Sequence, residues 1–205
     1  MSSASLTLTT SGKSMYIKRA DGPNANPYYW LGERNDQGTN KQQRGFGIFD
    51  FSGIGQVSSV SNVTIKWYAD YDQSSNTRTW RLYQCLRAWV IGEADWEEYS
   101  TGNSWATAGG YGTGDYDTTE LGSVSKNSTT LGWVEFGSLG TDIEDLIMDW
   151  INGDQTNYGF QFKADTEVDD SFRLQGSGGP NYPTLTFDYE PVPQIKNLAL
   201  LGVGS

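Results

Sequence analysis

The sequence contains no histidine and only one cysteine, Cys85, in 205 residues. Without imidazole there is no side chain that titrates unperturbed near neutral pH, no Ser-His-Asp or Cys-His machinery, and no histidine ligand for zinc or iron. A lone cysteine excludes an internal disulfide and any multi-cysteine metal site. Basic residues are also scarce: 14 Lys and Arg stand against 25 Asp and Glu, a net charge of −11. So acidic a chain offers no footprint for a phosphate backbone or an anionic membrane surface, so neither nucleic acid nor membrane is an expected partner. Apolar runs are short, and none approaches the roughly 20 residues of a transmembrane helix. The opening MSSASLTLTTSGKS lacks the basic patch, apolar run and small-residue cleavage site of a secretory signal. If the protein works outside a cell, either a signal has been trimmed away or it leaves by a route such as lysis.

Aromatic residues and glycine are plentiful. With 14% aromatics and 25 Gly, the chain combines large packing groups with frequent turns, which argues for a folded β-rich domain rather than disorder. Most of it reads as short period-two runs of β-formers separated by Gly, Asn, Asp and Ser, the pattern of antiparallel sheets with one buried face. About ten strands are expected, near 5–9, 14–19, 28–32, 44–51, 62–71, 80–89, 120–124, 132–136, 158–164, 172–175 and 184–189. In the last of these Leu185, Phe187 and Tyr189 share one face, and Thr186 and Asp188 the other.

One segment has a helical period. Ile143, Leu146, Ile147, Trp150 and Ile151 form a single stripe, which predicts an amphipathic helix over about 141–152. Thr141 and Glu144 have the spacing of a capping box, and Gly153 supplies a left-handed stop. One helix among strands is expected to plug the end of a β-sandwich, with Ile147 and Trp150 sealing the core. Its acidic face, Asp142, Glu144, Asp145 and Asp149, reads as solvated surface.

Two stretches fit neither period. Residues 92–119 form a long glycine-rich loop carrying Trp96, Tyr99, Trp105, Tyr111 and Tyr116, and loops of this length are usually functional or packed on themselves. After Tyr189 come two prolines and then an apolar tail, so residues 1–190 are expected to form the sandwich domain and 191–205 an arm that needs a partner surface.

The order of these motifs resembles the DNRLRE domain family, jelly-roll β-sandwich modules found on secreted bacterial and archaeal enzymes, in cell-surface proteins and in phage structural proteins. The resemblance is carried by the turn Trp30-Leu31-Gly32, then RGFGIFDFSGIG (44–55), NVTIKWYADY (62–71), LRAWVIGEADWEEYSTGNSWATAGG (86–110), WVEFGSLGTDIEDLIMDWINGDQTNYGFQFKA (133–164) and YPTLTFDYE (182–190). Six elements stand in the family's order over roughly 14–190. The chain departs from the family at Tyr182, where an Arg usually precedes the final Pro, and at Gln175-Gly176-Ser177. The resemblance implies an all-β, antiparallel jelly-roll sandwich and a module, not one particular activity.

Candidate chemistry is therefore sparse. Acidic residues are numerous, yet no motif marks a pair for glycosidase-type work, and no catalytic residue is assigned. Asp165, Glu167, Asp169 and Asp170 lie in a turn between two expected strands and could hold calcium, though a solvated hairpin tip accounts for them as well. Tyr99, Trp105, Tyr111 and Tyr116 could stack on sugar rings, or could instead pin the loop to the sandwich. Cys85, between Tyr83 and Leu86 in an expected strand, reads as a buried, inert thiol. Leu6 and Leu8 at one end, and Ile195, Leu198, Leu200, Leu201 and Val203 at the other, are candidate docking contacts. The resulting expectation is a non-enzymatic, phage-type virion surface protein (capsid decoration, head fibre or tail). It would form a homo-oligomer, a trimer by analogy, docked on a capsid or tail protein. The alternative is an extracellular or cell-surface carbohydrate-binding module or adhesin that reaches glycans through its loop aromatics.

Overall fold

A computed structural model describes residues 1–7, 14–19, 28–34, 41–72, 77–126, 131–136, 139–167, 170–176 and 180–193. The elements are β1 (Ser2–Thr7), β2 (Ser14–Lys18), β3 (Tyr28–Arg34), β4 (Lys41–Gly47), β5 (Val57–Asp72), β6 (Arg78–Gln84), β7 (Glu98–Ser100), β8 (Asn103–Ser104), β9 (Gly122–Lys126), β10 (Gly132–Phe136), α1 (Thr141–Asn152), β11 (Phe160–Ala164), β12 (Asp170–Gln175) and β13 (Thr184–Pro191). The fold is all-β and antiparallel, a sandwich with one helix among the described residues. Hydrogen bonds run along the order β1-β13-β5-β12-β3-β4-β11-β6-β9, with β10 added to β5 and β2 to β4.

This path folds over on itself into two layers. The β5 side contributes Val63, Ile65, Trp67 and Ala69 on alternate positions, and the β11 side contributes Phe160, Phe162 and Ala164. They meet in the core, where the Trp67 and Phe162 rings lie 4.4 Å apart and edge-on. Phe49 and Phe136 also pack on Trp67. The first layer is β1, β13, β5 and β10. The second is β2, β4, β11, β6 and β9, and β12 with β3 connects the two.

Helix α1 is the expected plug. Ile143, Leu146, Ile147 and Trp150 are buried in the core, and Trp150 meets Phe160 at 5.0 Å. Gly153 ends the helix with φ 80°. Its start differs from the expectation, because the N-cap is Gly140 with no side-chain cap and Thr141 is already the first helical residue. Glu144 does not close a capping box but accepts the backbone N–H of Asn62 at 3.1 Å. Asn152 grips β5 from the other end, donating to the Val57 carbonyl at 3.0 Å and accepting its N–H at 2.9 Å.

The expected boundary at 191 also moves. Pro191 still pairs with Val57 after an irregularity in register, and the Val192 N–H donates to Gln56 at 2.9 Å. A proline is admitted here because it is the strand's last residue and sits beside a bulge. The remaining arm positions, Ile195, Leu198, Leu200, Leu201 and Val203, lie outside the described residues, as does Leu8.

Candidate functional site

In the second layer Phe160, Phe162, Trp80 and Leu82 face the core, so the intervening positions of the same strands point to the opposite side. Over β2, β4 and the adjoining part of β11 that outer side is not solvated. Met15, Ile17, Phe46 and Cys85 form a second buried cluster there with Trp89, Ala94, Trp96 and Trp105 from the long loop. Strand β6 therefore stops at Gln84 rather than running to Trp89. Beyond it Cys85 bridges to Tyr116 and the Leu86 N–H donates to the Asp115 carbonyl at 2.8 Å, so the chain turns onto the sheet face. The short β7–β8 hairpin, which a reading of residues 92–119 as irregular does not foresee, lies inside this cover.

Asp115 organises the loop. It is fully buried, and its carboxylate accepts the N–H groups of Ala106 (2.8 Å), Thr107 (3.0 Å) and Gly112 (2.9 Å) and the Arg87 Nε (3.1 Å). A buried carboxylate is tolerated only when its lone pairs are so satisfied. The indoles are tied as well: Trp105 donates to the Asp95 carbonyl and Trp89 to the Tyr158 carbonyl, both at 2.9 Å. Phe46 lies stacked at 5.5 Å from Trp105.

Next to this cluster Arg44 forms a two-pronged pair with Glu167, both contacts 2.8 Å and both side chains only 7% exposed. Its guanidinium lies 4.7 Å over Trp96 and 4.6 Å over Tyr111, and it donates to the Gly109 carbonyl at 2.6 Å. Gly109 has φ +87°, and a Cβ there would collide with Arg44 and Trp96, so glycine is required. Tyr111 stacks on Tyr116 at 4.1 Å, and the Lys163 ammonium sits 3.9 Å over its ring. Burial pushes the Tyr111 hydroxyl well above the usual phenol range and pulls Lys163 below the usual lysine range.

Each of the four aromatics named as a sugar contact packs on another aromatic of its own chain. Trp105 is 5% exposed and is core, which corrects its assignment as a ligand contact. Tyr99 leans edge-on against Trp105 at 5.6 Å, and Tyr111 and Tyr116 stack on each other beside Arg44 and Lys163. The physical reason is that an apolar outer sheet face must be covered, and the loop aromatics are what covers it.

Glu167 is committed to Arg44, Asp165 is exposed, and Asp169 and the Asp170 side chain lie outside the described residues. Among the described residues no cluster of three or more acidic, Cys or His side chains has the arrangement of a metal site. Asp117, Asp142, Asp145 and Asp149 do line a shallow depression beside α1, where Gln155 donates to Asp149 at 2.6 Å. Cys85 is buried, and burial pushes its thiol up to about 12, so the expectation of an inert group fits.

Of the docking contacts, Leu6 is half-buried and packs with Ala4 against the protein's own core, opposite Leu185. It is not a free apolar contact for a neighbour.

The first layer's outer side contrasts with all this. Register pairs Trp133 with Tyr68 and Glu135 with Lys66 on β10 and β5. Trp133 is 51% exposed, with Tyr68 edge-on at 5.5 Å, and the Lys66 ammonium lies 2.8 Å from the Glu135 carboxylate. Beside them a cleft of about 370 Å³, where β9 and β10 approach, is lined by Thr77, Val124, Ser125, Lys126, Trp133, Val134 and Glu135. Sequence reasoning missed Trp133, although alternation in Trp133-Val134-Glu135-Phe136 already set it on Glu135's face.

No protein-family model matches this chain, and no curated protein matches it. The family resemblance over residues 14–190 therefore rests on the motifs themselves.

Proposed function

We propose that this chain is a non-enzymatic structural or display module of a phage-type virion surface, in a capsid-decoration, head-fibre or tail position, that joins its neighbours through backbone edges near its termini. The observation that carries the reading is β1. It pairs with β13 on one side only, and among the described residues no strand occupies its outer edge. Ser-Ser-Ala-Ser-Leu-Thr contains no charge, no proline and no bulge, the devices that normally protect an edge from pairing with another chain. With Ala4 and Leu6 committed to the core, what β1 offers a neighbour is its row of amide and carbonyl groups.

Several carboxylates support a structural reading too, since they serve groups of their own chain. Asp95 accepts the Glu97 and Glu98 N–H groups, Glu98 that of Gly102, Asp117 that of Thr119, and Asp70 binds Arg173. Sedimentation velocity across a wide concentration range tests the proposal. Self-association is expected for the full chain, in a trimer or another closed ring, and should weaken at least tenfold in Ser5→Lys, which places a charge on the edge. A chain that stays monomeric at millimolar concentration, or associates equally well as Ser5→Lys, overturns it.

A further inference from the structure

We infer that the cleft between β9 and β10 is a binding site for a neutral sugar ring, with Trp133 as its stacking platform. This is a function beyond docking through β1 and uses a different part of the surface. The argument starts from the indole. Tryptophan is among the costliest side chains to leave in water, yet Trp133 is half exposed, while Trp67, Trp80, Trp89, Trp96, Trp105 and Trp150 are buried. It is not loose: Tyr68 meets it edge-on at 5.5 Å from the paired position on β5, so its ring is held ready before any ligand arrives.

The surroundings choose the ligand class. A protein partner would want a broad apolar patch, and here Trp133 stands at the mouth of a cleft whose other walls carry two hydroxyls, a carboxylate and an ammonium: Thr77, Ser125, Glu135 and Lys126. A pyranose has the matching division, an apolar C–H face for the indole and an edge of hydroxyls that both donate and accept. Glu135 bonds Lys66 through Oε2, and a carboxylate has a second oxygen with which to receive a sugar hydroxyl. The cleft, about 370 Å³, falls at the small end of ligand pockets, which run from roughly 300 to 1,000 Å³. A neutral sugar is favoured over an anionic one because the chain carries a net charge of −11 and because Glu135 stands in the site itself.

Affinity electrophoresis of the full chain tests this in gels containing soluble β-glucan, mannan or galactan, with alginate as the anionic comparison. Retardation is expected in at least one neutral polysaccharide, with apparent affinity falling at least tenfold in Trp133→Ala and only partly in Trp133→Tyr. Glu135→Gln should weaken it by a smaller factor. Far-UV circular dichroism and the melting temperature of Trp133→Ala should match the parent, so a lost signal is not lost folding. In the gels, three outcomes overturn the inference: no retardation in any neutral gel, retardation indifferent to Trp133→Ala, or retardation in alginate alone. The same variants run in sedimentation velocity separate the two proposals. Self-association lost in Trp133→Ala would make the cleft a protein contact and overturn the sugar site, and self-association lost only in Ser5→Lys leaves the site intact.

Discussion

The outer sides of the two layers resolve the same problem in opposite ways. On the second layer, apolar Met15, Ile17, Phe46 and Cys85 point outward, and the segment between β6 and β9 closes over them, fastened by the buried Asp115. On the first layer the outward positions of β5 and β10 are Lys66, Tyr68, Trp133 and Glu135, and the described chain leaves Trp133 half exposed. The difference teaches that an aromatic's local sequence is a poor guide to its availability. Aromatics in the glycine-rich loop build a second core, whereas the half-exposed Trp133 stands in an ordinary five-residue strand.

The largest blow to this contrast should come from Asp115→Ala. Three backbone N–H groups and Arg87 lose their acceptor inside the loop, at a cost of about 3–5 kcal/mol. Urea unfolding should show that loss, and Cys85 should become reactive to a thiol reagent under native conditions. A loss below about 1 kcal/mol with Cys85 still shielded would mean that the aromatic contacts hold the cover without the carboxylate.

A smaller effect is expected at alkaline pH. Burial raises the Cys85 thiol to about 12, and an unfolded thiol ionises near its ordinary value of about 8.5. The folded state thus keeps a proton that the unfolded state gives up. The thiol's contribution is complete below about pH 8.5 and is lost as pH climbs toward 12. Denaturant midpoints between about pH 8.5 and 10, below the phenol range, should fall in the parent and stay flatter in Cys85→Ala. Parallel curves would show that the cover does not shield the thiol.

The smallest effects belong to the open side. Trp133→Ala should change stability by no more than about 0.5 kcal/mol, because little packing is lost where the ring is half in water. Lys66→Ala should cost no more than about 1 kcal/mol, since its pair with Glu135 is solvent-exposed. A Trp133→Ala loss as large as that of a core tryptophan would erase the distinction between the two sides.

How far the sequence foretold this depends on which face of a strand is asked about. Helix α1 and its buried stripe were legible because a 3.6-residue period leaves no other reading of Ile143, Leu146, Ile147 and Trp150. The inner core was legible from alternation, as in Leu185 and Phe187 of β13. The covered face was harder to see, because alternation presumes one wet side. The signal lay in Met15-Tyr16-Ile17, an unbroken apolar run in an antiparallel strand, which means burial on both faces. The partner of Glu167 was beyond reach, since Arg44 and Glu167 are separated by 123 residues and meet only through the pairing of β4 with β11. The capping box failed for a related reason: Glu144 had a tertiary partner in Asn62, on strand β5.

The pairing of β1 with β13 has a mechanical consequence. The two strands run antiparallel with Ser2 opposite Tyr189, and the Met1 amino group lies 2.9 Å from the Glu190 carboxylate, so the start of one and the finish of the other share a corner. A pull across that corner would load the ladder one hydrogen bond at a time, like a zipper, instead of shearing the whole row at once. Tension passed between the two strand ends would peel β1 away at low force and leave Trp67 and its neighbours undisturbed, and a module hung by both strands from one point would be free to swivel about it.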